Sequence, residues 1–221
     1  MLIDADAQGH ATRALGLAKY PGLYGLLVES ADLQTVIKAI PAAKYGGDGD
    51  SCLYMIGSNI QTMHIATSIS EGWALVEKLE PLRPVFDYCV IDTAPTPSLL
   101  HGAIYLATDW IIYPTLCEFW SFDGLAESLS HREALKIRGL PPIRVGGIVP
   151  MRYRANTLEH SENLAKLVSR FGELIWRPVP ERIIWAEAST YQVPVFIHAP
   201  ASEAACDAWE LVDRVEELHG D

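Results

Sequence analysis

Short apolar runs that end in Asp or Pro alternate along this chain with longer amphipathic stretches. Phe86 to Ile91 reads Phe-Asp-Tyr-Cys-Val-Ile and stops at Asp92, the pattern of a buried strand. Trp110-Ile111-Ile112-Tyr113 is a second such run, closed by Pro114, and Ile143 to Val149 a third, closed by Pro150. Cys52 to Ile56 and Leu174 to Trp176 are expected as two more strands. Met1-Leu2-Ile3-Asp4 reads as the end of a buried strand as well. Helical spacing is expected over about 70–80, 101–107, 122–138, 156–171 and 202–219. In the last of these, Ala208, Leu211, Val212, Val215 and Leu218 form one apolar face.

Strands separated by helices imply parallel βαβ units. The expected fold class is therefore α/β, a mostly parallel sheet with helices on both faces. No internal repeat and no long linker divides the 221 residues, so a single domain over 1–221 is expected. Tyr45-Gly46-Gly47-Asp48-Gly49-Asp50 is a loop and the place where local disorder is expected.

Two apolar runs end in aspartate, and these carry the chemistry. Leu2-Ile3-Asp4-Ala5-Asp6-Ala7-Gln8-Gly9-His10-Ala11-Thr12 is one, and Val90-Ile91-Asp92-Thr93-Ala94-Pro95 the other. In α/β sheets, ligands bind at the carboxyl ends of strands, where an acidic residue can hold Mg²⁺ beside nucleotide phosphates. An Asp in that place also serves simply to cap the following loop.

Taken in order, these segments resemble the ParA/MinD-type ATPases of chromosome and plasmid partitioning. The first is similar to that family's Asp-x-Asp-Pro-Gln-Gly-Asn-x-Thr, with Ala7 for the Pro and His10 for the Asn; the second is similar to its Walker B strand. Ala107-Thr108-Asp109, Ser121-Phe122-Asp123-Gly124-Leu125, Val149-Pro150-Met151-Arg152-Tyr153-Arg154 and Trp185-Ala186-Glu187-Ala188 extend the likeness over nearly the whole chain. The resemblance implies a P-loop NTPase-like fold and ATP and Mg²⁺ as cofactors. Asp6 then matches the carboxylate that positions the attacking water, and Asp4 the acidic residue near the nucleotide. Asp92 matches the Mg²⁺ holder acting through water. Met151, Pro180 and Glu181 match the adenine-side residues.

The family's Lys-Gly-Gly-x-Gly-Lys-Thr loop is not found, because no Gly-Lys-Ser/Thr occurs in the 221 residues. Gly46-Gly47-Asp48-Gly49-Asp50 is acidic and would repel phosphate. The resemblance therefore implies a chain truncated at its N-terminus, lacking a strand, the loop and a helix. The missing strand would be central, so apolar surface is expected to be exposed. A P-loop-less regulatory or binding relative remains the alternative. A nitrogenase-iron-protein-like carrier is a further one, opposed by the placing of Cys89 inside an expected buried strand.

Charge refines the picture. The net charge is −11, yet residues 132–182 hold ten basic against five acidic residues. The family binds DNA non-specifically, and Lys136, Arg138, Arg152, Arg154 and Arg170 are the candidates. The C-terminal helix carries Arg214 against many acids, which opposes the basic membrane-lying helix of MinD-type relatives. The implied partners are thus DNA, a ParB-like or other stimulating protein and a second copy of the chain, with no membrane, in a cytoplasmic and nucleoid-associated setting. The N-terminus carries neither region of a secretory leader, and no apolar run approaches the roughly 20 residues of a membrane span. The four cysteines are expected as buried small hydrophobes, and the six tryptophans as core or interface residues. His10 is expected in an exposed loop, and no spacing suggests a hydrolase triad or a His-based metal site.

Overall fold

The computed structural model describes residues 1–17, 21–47, 52–118, 124–126, 128–130 and 143–218. It divides into two compact units, Met1–Ala107 with Glu187–Pro200, and Thr108–Ala186 with Ala201–Asp221.

The first unit is built on a four-stranded sheet of β1 (Leu2–Asp4), β2 (Ile37–Ile40), β3 (Leu53–Ile56) and β4 (Val90–Asp92), in the order β2-β3-β1-β4. β1 runs parallel to both its neighbours, with Ile3 opposite Ile56 and Ile91, whereas β2 is antiparallel to β3. The pleat turns successive residues to opposite faces. Ile3 and Ile56 join a core with Leu23, Leu26, Val36, Ile65, Leu75 and Leu100; Leu2, Ile40 and Met55 join a smaller one with Leu15 and Ala11. The helices that cover the sheet are short: α1 (His10–Ala14), α2 (Leu23–Leu27), α3 (Leu33–Val36), α4 (Ile65–Ser68), α5 (Ala74–Leu79) and α6 (Leu99–Ala107). Ile3 and Ile56 are fully buried, and each contributes about 1.5–3 kcal/mol by leaving water.

β4 ends the sheet, and its outer edge has no strand partner among the described residues. Val90 is 57% exposed, Val85 65% and Tyr88 40%. Val90 thus leaves an apolar side chain exposed on this strand. The strand is also shorter than the apolar run from Phe86, which corrects the placing of Cys89: it lies just before β4 and is exposed. Cys52 and Cys206 are exposed too, and only Cys117 is buried.

In the second unit β5 (Trp110–Leu116) lies parallel to β6 (Arg144–Met151), with a register shift at Ile111/Ile112. Both strands run through the prolines expected to stop them. β5 has a described neighbour on one side only, so a proline N–H missing on the other side breaks no ladder bond. The expected strand at Leu174–Trp176 is reduced to a single bridge, Ile148 to Ile175, after a 3₁₀ turn over Gly172–Leu174. α7 (Leu158–Phe171) buries His160, Asn163 and Leu167, spaced three and four apart, and Leu167 packs on Ile148, Tyr113 and Cys117. α8 (Ile183–Tyr191) begins in this unit, while its later residues and α9 (Val195–His198) belong to the first unit; α10 (Glu203–Glu217) belongs to the second. Ser202 caps α10 by accepting from the Ala205 N–H. Leu211, Val215 and Leu218 pack with Val149, Trp176 and Val179, as the apolar spacing of this helix predicts. Trp176 lies over Gly147 so closely that a Cβ there would stand 1.9 Å from its indole nitrogen. Trp73 and Trp209 are half exposed, which leaves them outside the core and keeps only the interface half of the expected core-or-interface role open to them. Asp48–Asp50 of the acidic loop, Trp120 and most of the expected helix at 122–138 lie outside the described residues.

Candidate functional site

β1 delivers Asp4 to the carboxyl end of the sheet and leads into a tight turn before α1. Asp4 is fully buried. Its Oδ2 accepts from the Thr12 N–H at 2.8 Å and the Thr12 hydroxyl at 2.6 Å, and its Oδ1 from the Asp6 N–H at 3.2 Å. A buried carboxylate without such donors would be strongly disfavoured, so these bonds hold residues 4–12 in one shape. Gly9 closes the turn in the left-handed region at φ 62°, where a side chain would be strained. The carboxylate of Asp6 is half-buried and accepts from the Gln8 N–H at 3.0 Å.

β4 sets Asp92 opposite Asp4 in register, and the Asp92 carbonyl accepts from the Ala5 N–H at 2.8 Å. The Asp92 residue is exposed on the sheet edge. Partial desolvation, then the Asp4 and Asp6 carboxylates, push its carboxyl above the ordinary value, while nearby His10 works the other way. Like charges raise a carboxylate's proton affinity, and a cation placed among them removes the penalty. No group of three or more His, Cys, Asp or Glu residues forms a metal cage among the described residues. An exposed carboxylate with like charges beside it suits a hydrated divalent cation held by one or two carboxylates, as Mg²⁺ is commonly bound.

Sequence reasoning missed the hydroxyls behind this turn. Ser58 and Thr62 are buried beside Thr12. The Ser58 N–H donates to Thr12 Oγ1 at 2.8 Å, and the Ser58 hydroxyl donates to the Asp6 carbonyl at 2.6 Å. The only local signal was Asn59-x-x-Thr62, a reciprocal cap on the 3₁₀ turn Ile60–His64.

The second unit gathers the other candidates. Tyr153 bridges to Pro180, its N–H donates to the Val179 carbonyl at 2.9 Å, and its carbonyl accepts from the Glu181 N–H at 3.0 Å. This joins the chain after Met151 to Pro180-Glu181. Arg152 takes the left-handed φ of 52° and meets Glu181 at 2.8 Å; Arg154 meets the same carboxylate at 3.4 Å. Arg152 holds the Glu181 carboxyl below its ordinary value. The Arg154 N–H donates to Nδ1 of buried His160 at 3.1 Å. Of the three basic candidates among the described residues, two are thus ion-paired. Arg170 is exposed on α7 with its guanidinium 5.3 Å from the Phe171 ring centre. Lys136 and Arg138 lie outside the described residues.

Known proteins resemble this chain in sequence and in fold. Residues 1–139 match the AAA domain family. An uncharacterized protein of Mycobacterium tuberculosis (strain H37Rv) is 29% identical over 97% of this chain and 69% of its own length. The chromosome-partitioning ATPase Soj of Thermus thermophilus is 27% identical over 98% of this chain and 84% of its own. Among solved structures, apo McdA of Cyanothece superposes with a TM-score of 0.82 at 19% identity, over 97% of this chain and 86% of that one, a likeness of fold.

Proposed function

The chain belongs to the AAA domain family and is of the ParA/MinD type, and from that premise we propose that it binds Mg-ATP at the ends of β1 and β4 to drive partitioning or positioning of a cargo. The observation that supports this reading is the pairing of Asp4 and Asp92 in register with Asp6 on the adjoining turn. Asp92 is the residue that would hold Mg²⁺ through water, and Asp6 the one that would orient the attacking water. Asp4 fixes the turn that carries Asp6. Phosphoryl transfer depends mainly on positioning and charge neutralisation, which such carboxylates and a cation supply together. Met151, Pro180 and Glu181 are proposed to border the adenine. Exposed Arg170, with Lys136 and Arg138, is proposed to contact DNA backbone, in a nucleotide-dependent homodimer answering to a stimulating protein in the cytoplasm.

A phosphate cradle of backbone N–H groups completes such a site, and the open β4 edge suits a strand that carries one. The test is calorimetric titration of Mg-ATP into the 221-residue chain, and into the same chain fused to a strand with a Lys-Gly-Gly-x-Gly-Lys-Thr loop. Binding by the fusion, abolished on removing Mg²⁺, is expected. Failure of both proteins to bind would overturn the reading.

A further inference from the structure

The end of β3 and the Asp6 turn lie more than forty residues apart in sequence, yet one hydroxyl joins them. Ser58 is fully buried at the point where the chain leaves β3. Its hydroxyl donates to the Asp6 carbonyl at 2.6 Å and stands 2.8 Å from the Thr62 hydroxyl. The same Asp6 carbonyl accepts from the Gly9 N–H at 2.9 Å. The Ser58 N–H donates to Thr12, which itself donates to Asp4. Every link from Asp4 through Thr12 and Ser58 to Thr62 is made within hydrogen-bond reach and inside the protein.

We infer that Ser58 is a positioning residue that holds the Asp6 turn, so that the aim of the Asp6 carboxylate is set from the β3 end. A serine hydroxyl has one proton to give, and here it goes to Asp6 while Thr62 supplies a proton to the serine oxygen. With the carbonyl of Asp6 gripped from two sides, its carboxylate has only its own side-chain torsions left to move. The inference deepens the Asp6 role proposed above and rests on it for its meaning in catalysis. The grip itself is independent of any nucleotide.

Amide hydrogen exchange followed by NMR on the full chain tests it. In Ser58→Ala the Gly9 and Gln8 amides are expected to exchange about tenfold faster, the loss of roughly one hydrogen bond. The β2–β3 ladder amides, among them Met55 and Ile40, should stay within about twofold. Ser58→Cys, similar in size and a weaker donor, should restore part of the protection. Uniform acceleration across β2–β3 would reduce Ser58 to a core residue and overturn the inference, as would unchanged exchange at Gly9. Thr62→Val provides a second variant, and is expected to loosen Gly9 less than Ser58→Ala does; an equal or larger effect would place the grip at Thr62 instead. If the wild-type chain and its fusion fail to bind Mg-ATP while the exchange pattern appears, the nucleotide reading falls and the grip stands.

Discussion

Asp4 and Asp92 end adjacent parallel strands opposite each other, and in sequence both close an apolar run with the same Ile-Asp pair. In the fold Asp4 is fully buried, with three protein donors on its two oxygens. Asp92 is exposed on the sheet edge, where partial desolvation and then neighbours of like charge raise its proton affinity. One carboxylate is consumed in holding the chain; the other keeps its charge available for something outside it. The difference arises from position in the sheet. β1 has a strand on either side and a hydroxyl-bearing helix above it, while β4 has a strand on one side among the described residues.

Removing each carboxylate should therefore have opposite consequences. Asp4→Ala leaves the Thr12 N–H and hydroxyl unsatisfied inside the protein and is expected to cost about 3 kcal/mol, read by urea denaturation. A loss under about 1 kcal/mol would show that the turn does not depend on Asp4 and would erase the contrast.

Asp92→Asn should act in the other direction. A carboxyl whose folded value is raised binds its proton more tightly folded than unfolded. Stability thus falls as pH rises from its ordinary value of 3.8 through the raised one, and remains lower above it. The Asn variant escapes that cost, so it should gain about 0.5 kcal/mol at most at neutral pH, after solvent screening, and lose the advantage in acid. Thermal melts at several pH values measure this, and a variant less stable than wild type at neutral pH would break the comparison.

The second unit repeats the theme more faintly: Glu181 takes up Arg152 and Arg154, whereas Arg170 stands open on α7. Arg170→Ala should weaken non-specific DNA binding about two- to threefold and reduce the salt slope by about one, while Arg154→Ala should change both less. Equal losses in fluorescence anisotropy titrations would show that the ion pairs do not set which arginines reach DNA.

What sequence could reveal here was local. The Asp-ended runs, the apolar stripe of α10 and the helix expected over 156–171 are written within a few turns of chain, and these elements stand close to where they were expected. The carboxylates came together because two parallel strands share a register. Ser58 was invisible, since a small polar residue is buried only when a partner 46 positions away receives it. β2 was missed because exposed Lys38 and Ala39 break its apolar pattern and its pairing is supplied by β3. Cys89 was misplaced because hydrophobicity cannot tell an edge from a centre. The left-handed Arg152 has no signature, as glycine or asparagine would have given.

The contact between Gly147 and Trp176 has a consequence on a longer timescale than any folding or binding event. A methyl group at position 147 would overlap the indole, so every single substitution of that glycine meets the same obstacle while the tryptophan remains. The indole N–H is also bonded to the Gly146 carbonyl at 3.2 Å, so the ring cannot swing aside without breaking that bond. The two positions can drift only as a pair, with the larger residue shrinking before the smaller one grows. Descent from this sequence is thereby given an order of steps, imposed by a gap narrower than one carbon atom.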